Sequence, residues 1–415
     1  MVENNTNDFK PRRIAVLSMH SSPIGPLGTR NTGGMSVYVR EVSRWVALAG
    51  HTVDIFTYAP GPEKPVDLHP HVRLIHLNRA GRKDIPKEQL FDHAPVAARR
   101  LEQFASAEQL NYDIIHSHYW LSGVIGAMVQ KHWRCPHLIM FHTLGLIKNR
   151  TTAGEAEPRL RIDHERQLVD AAQGVVAPTT GERENLIRYY GALPEKVHTI
   201  PCGVNLDRFK PMDQRRARLQ LELDPDADLI FFVGRFAPVK GIDLLLQAVA
   251  ELLPRFPKLR LLLAGGDGPH ADTTKTLMDQ AAAMAIDRHV TMAGRIQHDE
   301  LPRYYSAADL LAQPSSYESF GLVSLEALAC GTPVAATAVG GAASIIREGL
   351  NGTLIESPSG KDVAKGLERL LVQKRRQPPQ PDRIRASIGG FGWNRIAHAV
   401  MQTYEVMCKQ QPEEI

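Results

Sequence analysis

Short β-rich apolar runs alternate with longer amphipathic runs along most of this chain, and that alternation restricts the fold more than any single residue does. A short apolar run followed by one of helical period is a βα unit, and repeated βα units build parallel sheets. The expected class is α/β. The first series opens with Ile14–Met19, crosses a glycine-bearing loop to Gly34 and enters a helix expected from about Ser36 to Ala49. VDIFTY (Val53–Tyr58), VRLIHL, YDIIHSH, HLIMFHT and GVVAPT follow as strands, each ending near a polar or small residue where ligand loops begin. A second series starts beyond Pro201-Cys202-Gly203-Val204-Asn205. LIFFVGR (Leu229–Arg235) is its first strand and LRLLLAGGDG (Leu259–Gly268) its second, with the helical IDLLLQAVAELLPRF between them. HVTMAGR, DLLAQPS and TPVAATAVGG continue it. Two such series in 415 residues fit two domains.

The expected domains are residues 1–204 plus 393–415, and residues 205–392. The returning segment is included because Trp393, Ile396, Val400, Tyr404 and Met407 stand at helical spacing and can pack back on the first domain. The basic, proline-rich stretch Lys374–Pro381 reads as a loop.

Composition enters mainly by exclusion. With 43 % apolar and 23 % charged residues the chain is an ordinary globular protein, and a net charge of +4 is too small to imply nucleic-acid binding. Cys135, Cys202, Cys330 and Cys408 are far apart and form no CxxC pair, so neither a zinc site nor a disulfide framework is expected, and a cytoplasmic setting fits. The polar MVENNTNDFKPRR has no signal-peptide core, and no apolar run nears the roughly 18 residues of a membrane span.

Chemistry concentrates in Pro314–Val334, PSSYESFGLVSLEALACGTPV. Glu318 in a loop and Glu326 about two turns into the next helix would face one cleft, and carboxylates accept strong hydrogen bonds from vicinal hydroxyls. Taken alone, the two acids read better as a turn residue and a solvated helix face than as a site. In VGRFAPVKG, Arg235 follows a strand and Lys240 precedes Gly241 at a helix start, so two cations and free backbone N–H groups converge on an anion site; singly, each is equally a surface charge. Gly28, Gly33 and Gly34 allow close approach of a phosphate or sugar, although their spacing is not GxGxxG and a plain flexible loop reads as well. His116 and His118 read as strand-end histidines that satisfy backbone hydrogen bonds. DPDAD (Asp224–Asp228) contains DxD but reads as a polar turn before a strand.

Together these residues resemble the retaining glycosyltransferases of family 4, which have two Rossmann-like domains facing across a cleft, the GT-B fold. The matching motifs are the GGM loop at Gly33–Met35, HSHYWLSG at His116–Gly123, FHT at Phe141–Thr143, GRFAPVKG at Gly234–Gly241 and the ExxxxxxxE pattern from Glu318 to Glu326. The N-terminal half is most similar to the mycothiol-pathway enzymes that transfer N-acetylglucosamine to inositol phosphate, and next to sucrose and sucrose-phosphate synthases.

The resemblance implies that Arg235 and Lys240 hold the donor diphosphate, that Glu318 binds the sugar hydroxyls and that Glu326 binds the ribose. It also implies that the backbone at Arg295 meets the base, that Phe320, Gly321 and Leu322 complete the donor site, that Gly34 reaches the diphosphate from the other domain, and that His142 binds the transferred sugar. Lys87, Tyr119, Thr143 and Arg161 match positions that grip an acceptor phosphate. The implied reaction moves a sugar from a nucleotide diphosphate sugar, UDP-sugar first, to an acceptor hydroxyl with retention and without a metal or cofactor. A homodimer is one expected assembly. The competing readings are an epimerase or phosphorylase on the same scaffold and a non-catalytic nucleotide-sugar binding protein.

Overall fold

The computed structural model describes residues 9–25, 32–79, 85, 89–151, 156–266 and 272–410. The first βα series forms an eight-stranded sheet from β1 (Arg13–Leu17), β2 (Thr52–Gly61), β3 (Val66–His69), β4 (Val72–Arg79), β5 (Ile114–His118), β6 (His137–Met140), β7 (Gly174–Ala177) and β8 (Val197–Thr199). Its order is β3-β4-β2-β1-β5-β6-β7-β8, and only the β3–β4 pair is antiparallel. The second series forms a six-stranded sheet from β9 (Asp228–Gly234), β10 (Leu259–Gly265), β11 (Val290–Gly294), β12 (Leu310–Gln313), β13 (Val334–Thr337) and β14 (Gly352–Ile355). It is wholly parallel, in the order β11-β10-β9-β12-β13-β14.

Every residue of β5, β6, β7, β12 and β13 is buried, because helices cover both faces of these sheets. That is why those strands read as continuous apolar runs rather than alternating ones. In each sheet the strand order reverses beside the first strand, at β1 and at β9, and ligands of open α/β sheets bind at the carboxyl ends of strands at such a switch point. The loops after β1 and β9 are the two glycine- and cation-bearing segments singled out in the sequence.

The expected helix at Ser36–Ala49 spans Gly34–Leu48. The last helix, Trp393–Lys409, buries Trp393, Ile396, Val400, Tyr404 and Met407 and packs on the helix Gly34–Leu48. The chain passes between the two sheets twice, and the two crossings lie side by side. Val204 bridges Gly392, the Val204 N–H donates to the Phe391 carbonyl at 2.8 Å, and Trp393 fills the space at Gly203, where a Cβ would come within 2.7 Å of its ring.

Lys374–Pro381 is only partly a loop. The helix Gly360–Arg376 takes in its first three residues and the helix Pro381–Ala386 begins at its last, with Lys374 bonded to Asp228 at 3.0 Å and to Asp309 at 2.8 Å, and Arg375 to Asp228 at 3.1 Å. Basic residues in a last turn also offset the helix dipole, so the charges extend the helix rather than ending it. The same pairs account for the end of DPDAD, since Asp228 begins β9 as their partner.

Candidate active site

In the C-terminal lobe the loop after β9 is held by tight backbone contact. Pro238–Lys240 makes one 3-10 turn, and Gly241, at φ +68°, starts the helix Ile242–Leu252. The 314–321 loop lies directly on this turn, with the Ser316 N–H bonded to the Val239 carbonyl at 2.9 Å. A Cβ at position 241 would come within 2.3 Å of the Pro314 carbonyl oxygen, which is backbone and cannot swing aside. Gly241→Ala is therefore expected to cost about 1–3 kcal/mol of stability. Denaturant unfolding checks this; an unchanged midpoint would refute the contact.

Lys240 Nζ meets Glu318 Oε1 at 2.5 Å, and Ser315 Oγ donates to the same oxygen at 2.8 Å. The side chains are 20 % and 12 % exposed, so the pair is held at the surface of the cleft rather than sealed inside it. Arg235 is exposed, and its guanidinium has no side-chain partner among the described residues. Gly340, at φ +57°, and Gly341, whose N–H bonds the Phe320 carbonyl at 2.8 Å, support the Glu318–Phe320 segment from below.

Glu326 is the fifth residue of the helix Leu322–Ala329, a little over one turn in, not about two turns as the sequence suggested. It is buried. His298 Nε2 donates to its Oε1 and Tyr305 to its Oε2, both at 2.8 Å, while His298 Nδ1 accepts from Arg208 at 3.1 Å. Glu326 thus ties down the loop after β11, which carries the exposed Arg295. The lobes touch where the segment after β12 meets the start of the helix Gly34–Leu48 and the segment after β6. A Cβ at Gly34 would lie 3.3 Å from Leu322 Cδ1, and the Leu144 N–H donates to the Tyr317 hydroxyl at 3.3 Å.

In the N-terminal lobe three of the four expected acceptor residues come together. Arg161, on the helix Arg159–Ala171, donates through Nη2 to the Thr143 carbonyl at 2.6 Å and hydroxyl at 2.9 Å, and its Cζ stands 4.8 Å above the Tyr119 ring. Lys87 lies outside the described residues, as does Gly28. The guanidinium is not an open cation, however. It is 1 % exposed, with Nε 2.6 Å from Glu165 and Nη1 2.8 Å from Glu157. Burial alone would raise the Glu157 carboxyl, but Arg161 and Lys148 outweigh it and hold Glu157 down at about 2. Glu165 also accepts from the Gly145 N–H at 2.9 Å and from the Tyr190 hydroxyl at 2.7 Å. Sequence reading missed both acids, although Arg161 and Glu165 stand four residues apart, the spacing at which charges pair along one helix face, and Glu157 stands just before that helix.

The histidines also differ from expectation. His116 Nδ1 lies 2.7 Å from the Tyr404 hydroxyl and His118 Nδ1 lies 2.9 Å from His142 Nε2, so side chains, not backbone groups, satisfy them. Burial lowers His116 and His142 to about 3, and both are neutral at physiological pH.

Two family models account for nearly all of the described chain. Residues 32–208 match Glycosyltransferase Family 4 and residues 213–386 match Glycosyl transferases group 1. The D-inositol 3-phosphate glycosyltransferase 2 of Catenulispora acidiphila is 39 % identical over 404 residues, covering 95 % of each chain. The chain belongs to glycosyltransferase family 4.

Among solved structures, a sucrose-phosphate synthase from Thermosynechococcus elongatus superimposes on this family-4 enzyme with a TM-score of 0.88 at 31 % identity, covering 96 % of this chain and all of that one. HepE of Anabaena, solved with UDP and glucose, shares the fold with a TM-score of 0.76 at 21 % identity, covering 95 % of this chain and all of its own. The two sheets facing each other are the GT-B fold. The enzyme is a glycosyltransferase, and sugar transfer from a nucleotide sugar takes the place of the epimerase, phosphorylase and binding-protein readings. No helix among the described residues is long and apolar enough to cross a membrane.

One buried acid of this family-4 enzyme sits beside the lobe contact. Burial, with a smaller push from Glu165, raises Glu182 to about 8 from an ordinary 4.5, and its Oε1 has no hydrogen-bond partner among the described residues. The folded state therefore holds this proton where the unfolded chain loses it, and stability falls as pH rises from about 4.5 to about 8. Glu182→Gln is expected to remove that slope, matching the wild type in acid and melting higher near pH 8. Thermal unfolding across the pH series reads it; parallel curves for the two proteins would contradict it.

Proposed function

We propose that this family-4 enzyme moves a glycosyl group from a UDP-sugar to a hydroxyl of a phosphorylated polyol, an inositol phosphate first among them, with retention at the anomeric carbon and without a divalent metal. The observation that carries the proposal is a pair of cationic clusters: Arg235 and Lys240 at the start of the helix Ile242–Leu252, and Arg161 with Thr143 and Tyr119, where Glu157 and Glu165 now stand beside the guanidinium. The relatives named for inositol 3-phosphate support the second cluster.

In this reading Arg235, Lys240 and the N–H groups beside Gly241 hold the donor diphosphate. Charge grows on the departing phosphate as the sugar–oxygen bond breaks, and groups already fixed in place stabilise it more in the transition state than before. Glu318 receives the sugar hydroxyls while keeping Lys240 aimed, and His142 meets the sugar from the other lobe. Glu326 keeps a lone pair on each oxygen for the ribose hydroxyls. The acceptor hydroxyl attacks from the face the leaving group departs, and its proton passes to the departing phosphate. Two side-chain cations supply the charge that a divalent ion would otherwise bring. An acceptor phosphate competes with Glu157 for Arg161 Nη1. Four free cysteines suit a cytoplasmic site of action.

The test is a panel of UDP-, GDP- and ADP-sugars against inositol phosphates, sugar phosphates and free polyols, with and without chelator, read by mass and by the anomeric coupling of the product. A retained product from UDP-sugar and a phosphorylated polyol, insensitive to chelator, is expected. Reaction only with unphosphorylated acceptors, or abolition by chelator, would overturn it. We further propose that residues 1–204 with 393–415, and 205–392, move as two bodies that close on donor about the paired crossings at Val204 and Gly392. Scattering curves recorded with and without donor should differ; superimposable curves would count against closure.

A further inference from the structure

Two imidazoles of the N-terminal sheet share one hydrogen bond. His118 ends β5, His142 follows β6 by two residues, and Nδ1 of the first lies 2.9 Å from Nε2 of the second. Burial keeps both rings neutral. In such a contact one nitrogen must carry the proton and the other must offer a lone pair, so the tautomer of either ring dictates the tautomer of its partner.

His118 is itself held on several sides. Tyr38 makes T-shaped contacts with both His118 and His142, with ring centres 5.5 and 5.4 Å away. His116 lies against His118 at 4.3 Å, and the Tyr404 hydroxyl, on the C-terminal helix, holds His116 from the far side at 2.7 Å. His142 has a backbone φ of 60°, in the left-handed region that a non-glycine residue adopts at a cost. The strained backbone and the hydrogen bond act on one ring, which is half-buried while His118 is 1 % exposed.

We infer that His118 is a positioning residue: it fixes the plane and tautomer of His142, so that the remaining nitrogen of that ring, Nδ1, meets the transferred sugar with one set hydrogen-bonding role. His118 touches no ligand itself. The inference rests on the reading of His142 as a sugar ligand given above.

Histidine-selective 15N labelling and long-range proton–nitrogen spectra read imidazole tautomers directly, and the His142 signals are identified by their loss in His142→Gln. The wild type should show a single His142 tautomer. His118→Asn, whose amide lies where Nδ1 does, should preserve it and keep the donor KM near that of the wild type. His118→Leu should give a mixture of tautomers and raise the donor KM about tenfold while leaving the acceptor KM unchanged. A merely structural role would not be rescued by Asn and would not move the tautomer.

One unchanged His142 tautomer in His118→Leu overturns this inference alone, and so does a mixture in the wild type, which decides the matter even if the leucine variant does not fold. A changed tautomer with an unmoved donor KM overturns the inference together with the reading of His142. His142→Gln with a wild-type donor KM marks failure of that underlying reading by a route that does not involve His118.

Discussion

Arg235→Ala and Lys240→Ala should each lower turnover of this glycosyltransferase by about 10²–10³-fold, because losing one preorganised contact to a developing oxyanion costs about 3–4 kcal/mol. The two variants should differ in everything else. Arg235 is exposed and has no side-chain partner among the described residues, so its loss should leave the melting temperature where it was. Lys240 holds Glu318, and in the proposed donor site alanine there leaves a mostly buried carboxylate near the donor's negative charge, with Ser315 its one remaining side-chain partner among the described residues. Donor KM should therefore rise in Lys240→Ala beyond its rise in Arg235→Ala. Initial rates at saturating acceptor across a donor series separate the two effects. Near-normal rates in both variants would remove the cationic pair from the mechanism.

Arg161→Ala should fail in a different way, as a folding defect of about 3–5 kcal/mol, because removing one partner of a buried ion pair strands the other. Glu165 is fully buried and Glu157 is 13 % exposed, and both look to this guanidinium. Arg161→Lys keeps the charge but loses the planar fork, so it should remain folded and raise the KM of a phosphorylated acceptor with little change for the donor. An unchanged acceptor KM in the lysine variant would remove Arg161 from acceptor binding.

The pH dependence supplies a second measure. Glu157 stands at about 2 in the fold against an ordinary 4.5, so its contribution is complete above about pH 4.5 and is lost as pH falls toward about 2. Denaturant midpoints of the wild type should fall over that acid range, and those of Arg161→Lys should fall less.

Arg161 also shows how far sequence reading reached. Its meeting with Thr143 and Tyr119 was expected from the family motifs. The carboxylates beside the guanidinium were not, because Glu157 precedes the helix and the spacing of Glu165 signals pairing only when the helix is known to begin near Arg159 and to bury that face. Glu326 is a similar case. The eight-residue interval from Glu318 was visible, but the helix starts only at Leu322, and the hydroxyl and imidazole that claim Glu326 lie 21 and 28 positions away in the chain. The strand-end histidines looked like backbone-satisfied residues because a sequence cannot show which side chain arrives from elsewhere.

The sequence by itself determined the class of fold, the two sheets and the candidate loops of the site. Those follow from local apolar periodicity and from glycines and cations placed just beyond strands, which act over a few neighbouring residues. Only the tertiary structure decided which polar groups are engaged. Lys240 finds Glu318 across 78 positions, His118 finds His142 across 24, and His116 finds Tyr404 across 288. Hydrogen bonds and ion pairs act over a few ångströms of space, and packing of the sheets alone brings such distant residues within that range.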